Sequence, residues 1–209
     1  EGVDLPSMAW GSLGAGGRVA DAQNIVFADR NAYMADADFV RVPLGELLRK
    51  DYARVRRGLM RPLNAVPTPV APGDFGASLG MGSAEGGHTT HFCIVDWQRN
   101  VVSVTTSIER YFGSAMTVPG RGFLLNNELT DFETRAIDSD GRPIANAPSG
   151  GVRARRTALG DDAHTLGGKR PRSSMAPTIV LRDGMPVLAF GSPGGSTIIG
   201  TNLNVILNV

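Results

Sequence analysis

Four short stretches carry the side chains that could do chemistry. They are Thr89-Thr90-His91-Phe92, Asn126-Asn127-Glu128-Leu129-Thr130-Asp131-Phe132, Arg170-Pro171-Arg172-Ser173-Ser174-Met175 and Gly191-Ser192-Pro193-Gly194-Gly195-Ser196. Together they supply hydroxyls, carboxylates and a glycine-rich turn. Acyl transfer needs such a set: a nucleophile, groups that grip a charged substrate, and N–H donors for a developing oxyanion. A threonine hydroxyl is a poor nucleophile until a base takes its proton. At a chain N-terminus the residue's own α-amine can do so, with a reference pKa of roughly 7.7 to 8.0. Within the chain Thr89 carries an amide nitrogen, so this chemistry requires the His88-Thr89 peptide to break first. The route is attack of the Thr89 hydroxyl on the preceding carbonyl, an N-to-O acyl shift, and hydrolysis of the ester. Gly86 and Gly87 permit the unusual backbone such a step needs.

The other groups each have a plainer alternative. The Gly191 to Ser196 turn follows an apolar strand-like run and precedes a helical one, so Gly194 and Gly195 could direct N–H groups at an oxyanion. No lysine precedes the serine as a Walker loop demands, and glycine-rich strand-to-helix turns also arise for steric reasons alone. Ser173 and Ser174 can donate to a carboxylate; a serine turn between Pro171 and Pro177 is the plain alternative. Glu109, Glu128 and Asp131 would favour a cationic group on a substrate, or they line a solvated acidic loop. A substrate bearing both an ammonium and a carboxylate uses both sets. Glu85, His88 and His91 are spaced three apart, which converges only on a helix, and the glycines among them argue against one, so neither a metal nor a cofactor is expected. The single Cys93 excludes an internal disulfide. It lies in an alternating apolar run and reads as a small buried hydrophobe.

The elements that position these residues follow from periodicity. After His88 the period is two, with strands at His91 to Trp97 and Val101 to Ser107 around Gln98-Arg99-Asn100. A turn centred on Gln98-Arg99 sets Thr90 across from Ser107 and Thr89 across from Ile108; a three-residue turn sets Thr89 across from Glu109. Either register brings the 107–109 segment beside Thr89. Ser103, Thr105 and Ser107 share one face and Val102 and Val104 the other, although hydroxyls are common on the solvent face of any hairpin. A second pair, Thr178 to Arg182 and Val187 to Phe190, flanks Asp183-Gly184, with Pro186 delaying its second strand or marking an edge. Helices are expected at Asp21 to Ala35, on the small apolar face of Ala22, Ile25, Ala28 and Ala32, at Leu44 to Leu59 as one or two segments, and at Thr197 to Val209. Arg61 to His88, rich in proline and then glycine, reads as a mobile linker, and the polar stretch Glu133 to Lys169 as a long loop of the lid, binding or disordered kind.

With 209 residues the chain can bury a core of its own. Its 21 Lys plus Arg balance 20 Asp plus Glu, so no electrostatic field recruits nucleic acid or a membrane surface. No run approaches the roughly 18 apolar residues of a membrane span, and no signal peptide is present. The chain opens at Glu1 and stops at Val209 inside a helical run, which reads as part of a longer polypeptide.

The four motifs in this order resemble the γ-glutamyltranspeptidase family of N-terminal-nucleophile hydrolases. From Thr89 onward the chain is similar to the first part of the family's small subunit. From about Gly2 to Met60 it is similar to the last helices of the large subunit, including Phe27-Ala28-Asp29-Arg30-Asn31-Ala32-Tyr33. The resemblance implies an α+β fold, part of an αββα sandwich with antiparallel sheets flanked by helices. Residues 1–60 would be the helical end of the large subunit, 61–88 a linker ending at the cleavage site, and 89–209 the small-subunit region. It implies autocleavage between His88 and Thr89, with Thr89 as nucleophile and its own base, supported by Thr105 and by Ser107 where many members have threonine. Glu109, Glu128 and Asp131 would bind the donor's α-amino group, Ser173 and Ser174 its α-carboxylate, and Gly194 with Gly195 the oxyanion. Glutamates at 109 and 128 depart from the Asn and Gln of some members and resemble other bacterial ones. The family's carboxylate-binding arginine lies upstream of this chain, and the arginine-rich stretch 141–169 matches no family motif. The implied reaction is γ-glutamyl transfer or hydrolysis with glutathione or a related γ-glutamyl amide as donor and water or an amino acid as acceptor. Large and small subunits would come from one precursor in a periplasmic or secreted setting. Cephalosporin (glutaryl) acylases share the scaffold, and an uncleaved chain serving as an inert interaction module is the non-enzymatic alternative.

Overall fold

The structure, a computed structural model, describes residues 2–9, 11–61, 65–75, 88–148 and 168–209. It is mixed helix and sheet and divides into two compact units, Glu1–Gly82 with Glu133–Arg170, and Ser83–Phe132 with Pro171–Val209. No helix among the described residues is long and apolar enough to cross a membrane.

The first unit is built on α1, Leu13–Tyr33, which starts eight residues before the position expected from its apolar spacing. Gly14, Gly16 and Gly17 lower the intrinsic helix propensity there, but Ser12 caps the end by accepting the Ala15 N–H at 3.2 Å. Its buried face runs Asp21, Ile25, Asp29 and Ala32: Ile25 and Ala32 are buried as expected, with Asp21 and Asp29 in place of the neighbouring Ala22 and Ala28. The two buried aspartates are saturated acceptors. Asp21 takes the Val66 N–H at 2.9 Å. Asp29 takes the Gly73 N–H and the Tyr52 hydroxyl, each at 2.8 Å, with Arg56 at 3.1 Å. Burial and the Asp29 charge push the Tyr52 phenol well above its ordinary range. Leu44–Leu47 (α2) and Lys50–Arg57 (α3) form the two short helices expected before the proline-rich stretch. Residues 65–75 of the expected linker are pinned by these contacts and by the Tyr33 hydroxyl, which bonds the Gly73 carbonyl and accepts the Phe75 N–H at 3.0 Å. Residues 62–64 and 76–87, with Gly86 and Gly87, lie outside the described residues.

The stretch from Glu133, expected to be a polar loop, is folded as far as it is described. Ile144, Asn146 and Ala147 are fully buried, and Ile137 bridges Pro143. Lys169 donates to the carbonyls of Ala145 and Ala147 at 2.8 and 2.6 Å, and burial lowers its ammonium pKa. Arg170 forks onto the buried Asp36 carboxylate through Nε and Nη2 at 2.9 and 2.7 Å. That guanidinium bond holds the Asp36 carboxyl far below the usual carboxylate range. Residues 149–167, most of the arginine-rich stretch, lie outside the described residues.

The second unit contains two antiparallel hairpins. β1, Thr89–Val95, pairs with β2, Val101–Ser107, and β3, Thr178–Arg182, pairs with β4, Met185–Phe190. The first hairpin has neither expected register: Thr89 faces Ser107 and Val95 faces Val101. The reason is its turn. The Asp96 side chain accepts the Asn100 N–H and side-chain amide at 2.8 and 2.7 Å, and Arg99 takes a left-handed backbone (φ 65°), so three residues loop between a clasped pair. The second hairpin turns on Asp183 and Gly184, both at positive φ as a two-residue turn requires. β4 begins at Met185, before Pro186, and a bulge after that proline restores the pairing. A 3-10 turn, Gly195–Thr197, leads into α4, Ile198–Leu207.

Candidate active site

The residues given a role in the chemistry, Thr89, Thr105, Ser107, Glu109, Glu128, Asp131, Ser173, Ser174, Gly194 and Gly195, lie in the second unit. The alternation of β1 puts Thr89, His91 and Cys93 on one face, opposite Ser107, Thr105 and Ser103. Thr89 Oγ1 lies 3.2 Å from Ser107 Oγ, and Ser107 Oγ accepts the Glu109 N–H at 2.9 Å. Thr105 is on the same face, but its hydroxyl meets His91 Nδ1 at 2.9 Å, two positions from Thr89. Cys93 is not the buried hydrophobe expected: it is exposed, as are Phe92 and Ile94 on the opposite face of β1. Its Sγ lies 3.2 Å from His91 Nε2 and 3.7 Å from Ser103 Oγ, while Ser103 Oγ donates to the Phe190 carbonyl at 3.1 Å.

That last bond ties the hydroxyl face to the end of β4, and the next residue completes the join. Gly191 lies against the His91 ring so closely that a Cβ there would sit 2.2 Å from Cε1. The turn then continues through Gly194 (φ 128°), whose carbonyl accepts the Thr197 hydroxyl at 2.7 Å and N–H at 3.1 Å, to Gly195 (φ 56°), which is buried. Both glycines therefore occupy backbone conformations that L side chains rarely adopt. His88, at the other side of the Thr89 peptide, donates its N–H to the Glu109 carbonyl at 3.3 Å.

Glu109 is tied to the segment that carries Glu128 and Asp131 by Asn127, a residue assigned no role of its own from the sequence. Asn127 donates its side-chain amide to Glu109 and accepts the Arg110 N–H at 3.1 Å, while its own N–H reaches the Ile108 carbonyl at 3.3 Å. It thus stitches the segment after β2 to the 3-10 turn Glu128–Asp131. Glu109 is only 3% exposed and takes a left-handed backbone (φ 70°), a rare conformation for a glutamate. Asp131 is buried, and one buried Glu128 carboxylate oxygen has no hydrogen-bond partner among the described residues.

Ser173 Oγ accepts the Met175 N–H at 3.1 Å, the short serine turn foreseen as the plain alternative, and Ser174 is buried. Behind them Asn202, on α4, donates to the Ala176 carbonyl at 2.5 Å and so fixes the strand entry that carries both serines. Asn202 lies outside the four motifs, while Asn127 and Gly191 lie within them with no role of their own read from the sequence. His91 had been placed on the hairpin correctly but without its contacts. Among the described residues no group of three or more His, Cys, Asp or Glu is arranged to hold a metal.

Comparison with known proteins identifies the family from sequence. The sequence model of the family described as Gamma-glutamyltranspeptidase matches residues 1–209. A glutathione hydrolase proenzyme of Pseudomonas sp. (strain A14) is 36% identical over 211 residues, covering 100% of this chain and 33% of that protein. An Acylase ACY 1 proenzyme of Pseudomonas sp. (strain SE83) is 33% identical over 209 residues, covering 100% of this chain and 32% of its own length. Among solved structures, the gamma-glutamyltranspeptidase from Pseudomonas nitroreducens complexed with L-DON is 40% identical over 57% of this chain and 55% of its own, with a TM-score of 0.42. The chain spans about a third of the length of the curated relatives it matches. With the family model matching from the first residue to the last, the chain belongs to the gamma-glutamyltranspeptidase family.

Proposed function

We propose that this chain forms the nucleophile-bearing part of a γ-glutamyl transferase and hydrolase of the N-terminal-nucleophile class, within an αββα sandwich. The observation that carries the reading is the placement of Thr89. It is the first residue of β1, its hydroxyl is 3.2 Å from that of Ser107, and it directly follows the peptide that must open.

Activation adds one water overall. Thr89 Oγ forms a bond to the His88 carbonyl carbon, the C–N bond breaks as the nitrogen takes the proton, and water hydrolyses the ester to a His88 carboxylate and a free Thr89 hydroxyl. The new α-amine, with a reference pKa of roughly 7.7 to 8.0, then serves as base. It takes the Thr89 proton as Oγ attacks the donor's γ-carbonyl and passes it to the departing amine. A γ-glutamyl ester remains for water or an amino-acid amine to resolve. Gly194 and Gly195 would face the oxyanion, with Thr105 and Ser107 supporting the nucleophile. Glu109, Glu128 and Asp131 would hold the donor ammonium, to which the unpartnered Glu128 oxygen offers a site, and Ser173 with Ser174 its carboxylate. Glutathione and related γ-glutamyl amides fit this arrangement. The match to relatives named proenzymes supports the self-cleavage step.

The acylase relative supports a second reading, hydrolysis of a glutaryl amide on the same residues. The test uses the full-length protein and a Thr89→Ala control. Intact mass after incubation at neutral pH should resolve two pieces joining at His88 and Thr89, absent from the control. Turnover of a γ-glutamyl anilide should then exceed that of a glutaryl anilide. Equal turnover would remove the ammonium-binding role of the acids, and an uncut wild-type protein would leave the inert-chain alternative.

A further inference from the structure

Residue 88 is held on two sides by the segment that follows β2. Its N–H bonds the Glu109 carbonyl at 3.3 Å, and its imidazole stacks on the Tyr111 ring with centroids 3.6 Å apart and planes tilted by 32°. Tyr111 has little other reason to be where it is, since 77% of its surface is exposed. What places it is the left-handed Glu109, which reverses the chain directly after the strand, and Asn127, which fixes the next peptide through the Arg110 N–H at 3.1 Å. The Gly113 N–H then closes onto the Arg110 carbonyl at 2.8 Å. A Cβ on Gly113, itself at φ 51°, would stand 2.1 Å from the Leu125 carbonyl oxygen, so the turn that mounts the tyrosine has no freedom to drift.

The two sides of the His88-Thr89 peptide are therefore held by one short stretch of chain. Ser107 meets the Thr89 hydroxyl, and two and four residues later Glu109 and Tyr111 hold the residue on the departing side. Attack by Thr89 Oγ on the His88 carbonyl carbon requires that carbonyl to stay still relative to the hydroxyl, and a stacked ring restricts the rotations that would carry it away.

We infer that Tyr111 is a positioning residue for self-cleavage: its ring, stacked on His88, holds the acyl side of the scissile peptide against the Thr89 hydroxyl. The inference rests on the cleavage reading above. The step is the acyl shift to Thr89 Oγ followed by hydrolysis, and Tyr111 exchanges no atom or proton in it. Once the bond is open, His88 is no longer tethered through Thr89, and the tyrosine face it covered becomes accessible beside Glu109.

The experiment measures first-order cleavage of the full-length precursor, made by cell-free translation and followed by intact mass. Wild type, Thr89→Ala, Tyr111→Ala, Tyr111→Phe, His88→Ala and the Tyr111→Ala/His88→Ala double variant are compared. Tyr111→Ala should slow cleavage about two- to tenfold, the range a stacked aromatic pair carries. Tyr111→Phe should stay within about twofold of wild type, because the ring and not the hydroxyl makes the stack. The double variant should cleave no more slowly than the slower single one, since both singles remove one interaction. Wild-type rates in Tyr111→Ala, equal losses in the Phe and Ala variants, or additive losses in the double variant would each overturn the role of the stack. His88→Ala leaves the turn around Glu109 intact, so a folding defect peculiar to Tyr111→Ala is told apart from a positioning loss. An uncut wild type would instead overturn the cleavage reading, and this inference with it.

Discussion

Replacing Gly191 with alanine should damage both the stability of the second unit and its chemistry, for a purely steric reason. Gly191 is not among the residues with a left-handed backbone, so an alanine meets no conformational penalty there. Its Cβ, however, would lie 2.2 Å from His91 Cε1, 2.3 Å from Nδ1 and 2.9 Å from Cγ. Carbon atoms rest at about 3.5–4.0 Å, so the ring has to retreat by more than about an ångström. The closeness of Cγ means that a twist of the ring alone gives no relief and the whole side chain must swing. That movement abandons the 2.9 Å contact of Nδ1 with Thr105. Overpacking costs about 1–3 kcal/mol and the lost hydrogen bond about 0.5–1.5 kcal/mol. His91 is half-buried and partly free to yield, which favours the lower part of the sum, about 2 kcal/mol. For a domain of this size that is a fall in thermal midpoint of roughly 4–8 °C. The measurement is a pair of melts on the full-length protein with anilide turnover alongside. Because Gly191 opens the turn that carries Gly194 and Gly195, kcat should fall more than KM rises. Removing the obstructing ring should recover stability, so His91→Ala/Gly191→Ala should melt above Gly191→Ala alone. A Gly191→Ala protein with wild-type midpoint and turnover, or a double variant less stable than the single, would refute the reasoning.

Three further substitutions probe other parts of the molecule. Asp36→Asn removes the buried negative charge and one of the two oxygens that accept from Arg170, and should lower the thermal midpoint by a few degrees at pH 7. The folded carboxyl is held below its unfolded value of about 4, so its contribution is full above that pH and is lost as pH falls through the folded value. The gap between the two proteins should therefore narrow in acid melts below about pH 4, and a constant gap would contradict the assignment. Glu109→Gln keeps the shape but removes the buried charge beside Asn127, so kcat/KM for a γ-glutamyl anilide should fall about 10- to 100-fold while that for a glutaryl anilide holds within about threefold. Asn202→Ala leaves the Ala176 carbonyl without its side-chain donor. It should cost about 1–2 kcal/mol in urea unfolding and raise the KM of the donor, whose carboxylate the adjacent serines would hold.

Much of the second unit was legible because its strands alternate and its turns are spelled out. Asp183-Gly184 is a two-residue hairpin signal, and the four motifs, save Arg170 at the start of the third, fall within one unit. The register of the first hairpin was not legible. It depends on whether Asp96 or Trp97 closes the turn, which the Asp96 side chain decides by capturing Asn100. Cys93 was misjudged because an apolar run in sequence does not say whether anything covers the strand, and β1 is exposed from Phe92 to Val95. The start of α1 was hidden by three glycines, and its buried face was only half read, with Ile25 and Ala32 right, because periodicity weighs apolar residues. Asp21 and Asp29 are buried as hydrogen-bond acceptors. Asn127 and Asn202 act through backbone groups distant in sequence, so no local pattern marks them. Gly191 looked like one more loop glycine until the His91 ring was seen against it.

The ladder between β1 and β2 begins at Thr89 opposite Ser107 and runs only toward the Asp96 turn. The peptide before Thr89 thus lies at the edge of the pairing, outside every rung. A chain opened there would keep its entire hairpin, and at the other side of the break His88 would still bond the Glu109 carbonyl through its N–H. Mechanical integrity and activation are consequently separable traits of this strand. On the cleavage reading proposed above, the terminus made there would stand in register from its first residue rather than be left to search for its partners.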